Sequence, residues 1–240
     1  MSLQNRDFYL TIEHSCAYYA DRICQNVVPD PNIDMDADVY DHLAIIGFRR
    51  SGDHVYRPHC PDCQDCVPCR IKVATFKPSR NQRRCLKNNS QVVCTQVEAR
   101  FTDEYYDLYK KYLNQRHADG DMKDPSKDDF KNFLVCDWSQ SHFLEFRENN
   151  QLLAVAVIDK VANGFSAVYT FFDPNFSDRS LGTFAILQEI KHCQDNRLPY
   201  LYLGYWLKDH PKMLYKAKFG SFEMFQNNHW QARKKEELRT

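Results

Sequence analysis

The feature that most constrains the fold is a set of three strand-like runs in the second half of the chain. They span residues 142–147, 152–161 and 165–172 and are rich in apolar, β-branched and aromatic side chains. Only two short connections separate them, one containing Asn149-Asn150 and the other Asn163-Gly164. Asparagine and glycine suit the backbone of tight hairpin turns, so the runs are predicted to form an antiparallel meander.

The segments around the meander indicate the rest of the layout. Two helices are predicted before it, capped by Thr102 and Ser126. After it come, in order, a helix over 181–196, a strand over 200–206, a helix over 212–219 and a strand over 222–232. A meander followed by a helical crossover to a parallel strand resembles the N-acetyltransferase superfamily. The sequence therefore predicts a mixed α/β chain of the α+β class, with a mixed, mainly antiparallel sheet flanked by helices.

The composition is that of a globular protein. The chain has 240 residues, of which 43% are hydrophobic, so it is long enough to bury a core. Its longest clean apolar run, residues 152–158, is far shorter than the about 20 residues that cross a bilayer. We expect a cytoplasmic protein with no membrane partner. Two parts that pack as one unit are predicted: a cysteine-rich region with a basic segment over 1–99, and an N-acetyltransferase-like acyl-transfer domain over 100–240.

The net charge is zero, but the basic residues are concentrated between residues 66 and 97. This stretch carries seven lysines and arginines and no acidic residue, and a helix capped by Ser79 is predicted within it. The helix presents either an ordinary solvated face or a surface that contacts nucleic-acid phosphates. The concentration of positive charge in a neutral protein favours phosphate contact. The residues assigned to this surface are Lys77, Arg83, Arg84 and Lys87.

Four cysteines follow one another with two residues between neighbours. They are Cys60, Cys63, Cys66 and Cys69. Thiolates at this spacing suit an iron–sulfur cluster or a zinc ion. Two alternatives stay open, namely reduced thiols that pack a small knuckle and a disulfide switch.

A glycine lies at the start of the helix that follows the meander. The segment from Arg179 to Gly182 is similar to the acetyltransferase loop that holds a pyrophosphate at a helix N-terminus. Phe184, however, stands where that loop has a second small residue, which argues against coenzyme A as the acyl donor. Gly182 either helps to bind a different donor or is simply a helix-start glycine.

Several short motifs occur together over nearly the whole chain. They are Cys16-x-Tyr18, Gly47-Phe-Arg-Arg-Ser-Gly52, the cysteine run from Tyr56 to Arg70, Pro78-Ser-Arg80, Ser180-Leu-Gly182-Thr183, Gly204-Tyr-Trp206 and Lys212-Met213-x-Tyr215-Lys216. In this combination they resemble the aminoacyl-tRNA–protein transferases of the N-degron pathway, specifically the short bacterial aspartate/glutamate leucyltransferases related to eukaryotic arginyltransferases. The departures from the family pattern are Tyr19-Ala20, Cys69, His210-Pro211 and Ser221.

The resemblance implies an activity and two partners. Leucine would pass from leucyl-tRNA to the α-amine of a protein that begins with Asp or Glu, which marks that protein for degradation. An arginyl donor in the same reaction stays open. Two rivals from other classes are a coenzyme-A-dependent N-acetyltransferase and a non-enzymatic RNA-binding or redox-sensing module.

The chemistry of such a transfer requires no cofactor, because the aminoacyl ester is already activated. The protein has to hold amine and ester together, remove a proton and stabilise an oxyanion. An acidic acceptor requires a cation, for which Arg70 and Arg80 are the first candidates. Tyr169 and Asp173, at the end of the third strand, are the candidate bases.

The other expected site residues follow from the same motifs. For substrate binding they are Gly182, Trp206, Tyr215 and Lys216, and the expected walls of a leucyl pocket are Phe171, Phe172, Leu181 and Trp206. A structural or regulatory iron–sulfur cluster or zinc ion is expected on Cys16, Cys60, Cys63 and Cys66.

Overall fold

An eight-stranded sheet runs through the computed structural model, which describes residues 8–116 and 123–233. From edge to edge its strands are β14 (His229–Ala232), β13 (Phe222–Gln226), β7 (Val67–Lys72), β12 (Tyr200–Trp206), β11 (Gly164–Phe172), β10 (Gln151–Val161), β9 (Ser141–Glu148) and β8 (Val93–Glu98). Strands β11 and β12 pair in parallel, and the other neighbours pair antiparallel. The predicted mixed, mainly antiparallel sheet is confirmed.

Five α-helices occur in the described residues. They are α1 (Ala37–Ile45), α2 (Arg80–Asn88), α3 (Asp103–Arg116), α4 (Lys127–Leu134) and α5 (Leu181–Asp195). Three predicted caps are present, since Ser79 and Ser126 form capping boxes and Thr102 Oγ1 accepts from the Tyr105 N–H at 3.2 Å. None of these described helices has the length and apolar character needed to span a membrane.

Both faces of the central strands are buried, which accounts for the apolar run in β10. One face, which includes Ala156 and Ile158, packs with α2 and α5. The opposite face, which includes Val155 and Val157, packs with α3 and α4. Side chains alternate along a strand, so a strand covered on both sides is apolar throughout.

The N-terminal part contributes smaller sheets and one central strand. A four-stranded sheet has the order β1 (Phe8–Leu10), β4 (Asn26–Pro29), β6 (His54–Pro58), β5 (Arg49–Ser51), and β2 (His14–Ser15) pairs with β3 (Ile23–Cys24). Strand β7 leaves this part and lies between β12 and β13. Strands from both sides of residue 99 therefore share the eight-stranded sheet.

The parallel pair of β11 and β12 is short. Only residues 164–166 of β11 pair with residues 200–202 of β12. Beyond these three pairs the strands diverge, and β12 turns at Gly204, whose φ is +75°. The divergence leaves an opening in the middle of the sheet.

Three local predictions need correction. The turn between β10 and β11 is one residue earlier than predicted, because Val161 pairs with Gly164. The predicted helix over 212–219 is only a short 3₁₀ segment, Leu214–Lys218, and a segment of this length takes its conformation from tertiary contacts rather than from helix propensity. The predicted strand over 222–232 is instead the hairpin of β13 and β14. Its turn consists of Asn227 and Asn228 with positive φ, the same signal that was correctly interpreted at Asn149-Asn150.

Candidate active site

A cleft of about 910 Å³ lies where β11 and β12 diverge. It is lined from β5 by Arg49, from β11 by Tyr169, from α5 by Gly182 and Glu189, and from the 3₁₀ segment by Tyr215 and Lys216. Loss of parallel pairing exposes backbone groups of β11 and β12 to this space. The cleft therefore offers polar backbone and charged side chains inside a largely apolar body.

Arg49 lies between the diverging strands. Its Nη2 donates to the carbonyl of Ala167 on β11, and its guanidinium group covers Gly204 on β12. Gly204 has a φ of +75°, which residues with a side chain rarely adopt, and a methyl group added there would lie 2.7 Å from Arg49 Nη1, so the Arg49 side chain would have to move. The buried Nη1 itself has no hydrogen-bond partner among residues 8–116 and 123–233. Arg49 therefore keeps a buried charged donor beside the cleft without a partner in the described chain.

Lys216 is a second cation in the cleft. Its side chain is buried, and Nζ donates to the carbonyl of Tyr205 at 2.6 Å. Burial lowers the pKa of Lys216 to about 8, and the nearby Arg49 charge acts in the same direction. The expectation that Lys216 belongs to the substrate site agrees with this position.

Glu189 is an acidic group that the sequence interpretation missed. It is 1% exposed and lines the cleft, and burial raises its pKa to about 8 while Arg49 acts to lower it. A signal was present, because Glu189 follows Gly182 by seven residues and so lies on the same helix face. An acidic residue at an inward position of an amphipathic helix is unusual enough to single out.

The two predicted bases have different surroundings. Tyr169 lines the cleft, but burial and the neighbouring tyrosines hold its pKa well above the usual range. Its phenol is thus a hydrogen-bond donor and not a base near neutral pH. Asp173 is buried beside the end of β11, where it accepts from the Asn175 N–H at 3.0 Å and pairs with Lys111 at 2.7 Å. Both contacts fall on Oδ1 of Asp173, and Asp173 does not line the cleft.

The two predicted acceptor cations lie away from the cleft. Arg70 is buried behind the sheet, where Nε donates to Glu223 at 2.7 Å and the guanidinium stacks on Tyr200 and Trp230. Arg80 is exposed at the first position of α2. Neither residue lines the cleft, whereas Arg49 of the Gly47–Gly52 motif does.

The remaining substrate-site predictions divide in two. Gly182, Tyr215, Phe172 and Leu181 line the cleft, and a methyl group added at Gly182 would lie 3.3 Å from the Phe172 ring. Trp206 and Phe171 do not line it. Both are core residues, Trp206 at 4% exposure against Phe222 and Phe171 in the cluster under α3.

The basic segment is a surface. Five of its seven cationic side chains lie at and before α2. They are exposed, and within the described chain none of these five forms an ion pair. They are Lys77, Arg80, Arg83, Arg84 and Lys87. Arg83 Nη1 donates to the carbonyl of Pro78, which fixes this side chain at the start of α2. Positive charge that no carboxylate neutralises is available for an anionic partner.

A second pocket, of about 430 Å³, collects five cysteines. The predicted Cys16, Cys60, Cys63 and Cys66 are joined by Cys24, whereas Cys69 is buried within β7. Burial and the neighbouring thiols raise the pKa of Cys66 to about 12 and that of Cys24 to about 11. No three metal-ligating side chains of the described residues stand in a coordinating arrangement. None of the ten cysteines, all of them described, forms a disulfide.

Comparison with known proteins gives matches over most of the chain. The arginine-tRNA-protein transferase family matches with its N-terminal part over residues 14–84 and with its C-terminal part over residues 104–226. The aspartate/glutamate leucyltransferase of Alcanivorax borkumensis is 48% identical over 93% of this chain and 92% of that protein. The one from Pseudomonas fluorescens SBW25 is 50% identical over 93% of this chain and 95% of that protein. The solved structure of FemX aligns with a TM-score of 0.46 and 10% identity, covering 79% of this chain and 65% of FemX.

The family resemblance stated from the motifs is confirmed. Matches of this extent place the chain in one class: it belongs to the arginine-tRNA-protein transferase family.

Proposed function

We propose that the protein transfers leucine from leucyl-tRNA to the α-amine of proteins that begin with Asp or Glu. The observation that carries this proposal is the near-full-length identity of about half the residues to proteins named aspartate/glutamate leucyltransferase. The described cleft supplies groups that suit this chemistry. Because the donor is charged tRNA and the cysteines are unbridged, we also propose that the protein acts in the cytoplasm.

The acidic acceptor side chain would bind the two cleft cations. Arg49 offers a donor without a partner among the described residues, and Lys216 lies in the same cleft. A carboxylate bound there would satisfy Arg49 Nη1 through a charge-assisted hydrogen bond. Alanine at the acceptor N-terminus would leave this donor buried and unpaired.

The diverging strands would assist the transfer itself. The aminoacyl ester would lie in the opening, close to backbone N–H groups that β11 and β12 no longer use for pairing with each other. Such fixed donors stabilise the oxyanion of a tetrahedral intermediate. Phe172 and Leu181, which line the cleft next to Gly182, would form an apolar wall for the leucyl side chain.

The exposed basic segment would bind the tRNA. Lys77, Arg80, Arg83, Arg84 and Lys87 lie at and before α2, and residues beside Gly182 contact this helix, since Cys85 Sγ and Asn89 Nδ2 reach the carbonyl of Arg179. A tRNA held along α2 would therefore approach the cleft through the start of α5.

The test compares donors and acceptors directly. Purified protein is incubated with leucyl-tRNA, arginyl-tRNA or acetyl-coenzyme A, each with peptides beginning with Asp, Glu, Arg or Ala. Leucine joined to the Asp and Glu peptides alone is the expected result. Arginine transfer would replace the donor assignment, acetyl transfer would replace the reaction, and tRNA binding without transfer would indicate a binding module.

The cysteine pocket would hold a zinc ion or an iron–sulfur cluster with a structural or regulatory role. Its donor set suits a soft metal, and ligation would favour the thiolate forms that burial, with a smaller contribution from the neighbouring thiols, disfavours. Cys63→Ser should then lower both the metal content and the stability of anaerobically purified protein, whereas Cys136→Ser, outside this pocket, should leave the metal content unchanged. Metal-free protein with full activity and reactive thiols would favour simple packing.

A further inference from the structure

Glu189 is a buried acidic residue that lines the cleft. On α5 it shares a face with Gly182 and Ile186, and all three line the cleft. Seven residues of helix place it roughly 10 Å deeper than Gly182. It thus lies at the bottom of the space in which acceptor and donor would meet.

The carboxyl group of Glu189 lacks any partner that would explain its burial. It is 1% exposed, and neither Oε1 nor Oε2 has a hydrogen-bond partner in residues 8–116 and 123–233. An unpaired buried carboxyl destabilises a fold, and an apolar residue would serve the core better. A destabilising polar group that faces a cleft is a marker of function.

The titratable groups that interact electrostatically with Glu189 lie on several helices and strands. In the described chain they are Arg49 on β5, Tyr215 in the 3₁₀ segment, Cys94 on β8 and Cys193 on the same helix. Arg49 is the one charged group of this set near neutral pH. The pKa of about 8 that results for Glu189 is close to that of a free α-amine, about 8. Proton transfer between groups of matched pKa is efficient.

We infer that Glu189 accepts the proton that the α-amine releases when it attacks the leucyl ester, an assignment that rests on the function proposed above. The neutral amine nitrogen forms the bond to the ester carbonyl carbon, and its proton passes to the Glu189 carboxylate. The bond from that carbon to the tRNA ribose oxygen then breaks. Glu189 returns the proton to the leaving oxygen, so that amide, free tRNA hydroxyl and the original carboxylate result without another reactant.

The experiment is a pH profile of single-turnover transfer from leucyl-tRNA to a Glu-peptide. Wild type, Glu189→Gln, Glu189→Asp and the control Asp195→Asn are compared from pH 6 to 9, with spontaneous ester hydrolysis subtracted. Asp195 is an exposed carboxylate near the end of the same helix. Because two groups must lose protons, the logarithm of the wild-type rate should rise with a slope of about 2 below pH 8.

Glu189→Gln should show a slope of about 1 and a rate at least ~100-fold lower, with KM for leucyl-tRNA little changed. Glu189→Asp should be slow but keep the steeper slope, and Asp195→Asn should match wild type. Equal slopes and rates in wild type and Glu189→Gln would overturn the assignment. A higher KM for leucyl-tRNA at unchanged rate would also overturn it, because Glu189 would then bind the donor's ammonium group. Absence of leucyl transfer by the wild-type protein would overturn the proposed function first, and this assignment with it.

Discussion

Arg49 and Arg50 are neighbours in β5, yet their side chains lie in opposite kinds of surroundings. Arg50 is fully buried and bidentate to Asp159, at 2.6 and 2.7 Å, and it also donates to Ser141 Oγ and to the carbonyl of Gly52. Arg49 faces the cleft with Nη1 unpartnered in the described chain. The strand alternation sends two identical side chains to two faces. The donors of Arg50 are paired with protein acceptors, whereas Nη1 of Arg49 has no partner in the described residues.

The comparison teaches how to tell a structural charge from a functional one. A saturated buried ion pair holds its element in place, and removal of one partner leaves the other charge uncompensated. A buried polar group that lacks partners contributes less to the fold and can bind a ligand. Arg50 and Arg70 follow the first pattern. Arg49 and Lys216 each donate to a backbone carbonyl but have no carboxylate partner in the described residues, and both oxygens of Glu189 lack a hydrogen-bond partner there.

The largest effect is expected at Arg50. Arg50→Met leaves Asp159 charged and buried, so the free energy of unfolding should fall by about 3–5 kcal/mol. Urea denaturation measures it. Adding Asp159→Leu to the same variant should recover much of the loss, since the uncompensated charge is then removed. If Arg50→Met lowered the free energy of unfolding by less than about 1 kcal/mol, Arg50 would not differ from Arg49 in its contribution to stability.

Arg49→Met should have the reverse profile. The free energy of unfolding should change by no more than about 1 kcal/mol. The rate of leucyl transfer to a Glu-peptide should fall roughly 30- to 1,000-fold, which is equivalent to ~2–4 kcal/mol. The reason is that the acceptor carboxylate loses its partner. Transfer to an Ala-peptide serves as the internal control and should not fall further. Arg70→Gln should instead weaken the fold and retain the acidic preference, and the opposite outcome would restore Arg70 as the acceptor cation.

Glu189 should make stability depend on pH. Its folded pKa of about 8 lies above the ordinary 4.5, so the folded state keeps a proton that the unfolded state loses. Stability attributable to this group is therefore complete below pH 4.5 and is lost as pH rises towards 8. Between pH 6 and 7.5 the loss should be about 2 kcal/mol, and Glu189→Gln should remove that part of the pH dependence. If the free energy of unfolding depended on pH in the same way in wild type and Glu189→Gln, this prediction would be contradicted.

The smallest effect is expected on the exposed charges of α2. Replacing Arg83 and Arg84 by alanine should reduce the log–log salt slope of leucyl-tRNA binding by about two units, from about 3–5 in wild type. Binding is measured from 50 to 300 mM salt. Lys191→Ala, an exposed lysine of α5 that pairs with Asp195, is the control with an unchanged slope. Identical slopes would mean that α2 presents only a solvated face.

Periodicity and turn chemistry predicted the meander, the caps and the parallel crossover, because these depend on local residue types. The path of β7 depends on contacts between residues more than 120 positions apart, and no local signal contains them. The motifs singled out Gly182 and Lys216, and both line the cleft. Arg49 and Glu189 also line it, but sequence alone does not show which of many charged residues has a buried polar atom without a partner in the described chain. Arg70 carries the same guanidinium group as Arg49, but it forms an ion pair with Glu223.

The central place of β7 also determines when this chain can complete its fold during synthesis. Its two neighbours in the sheet, β12 and β13, lie about 130 and 150 residues further along. At ~5–20 residues per second, the ribosome takes on the order of ten seconds to supply the first of them. Throughout that time β7 has two unpaired edges, and such edges favour association with other chains. The nascent chain therefore needs protection at β7 until residues 200–226 emerge, whereas the meander can pair as soon as it leaves the ribosome.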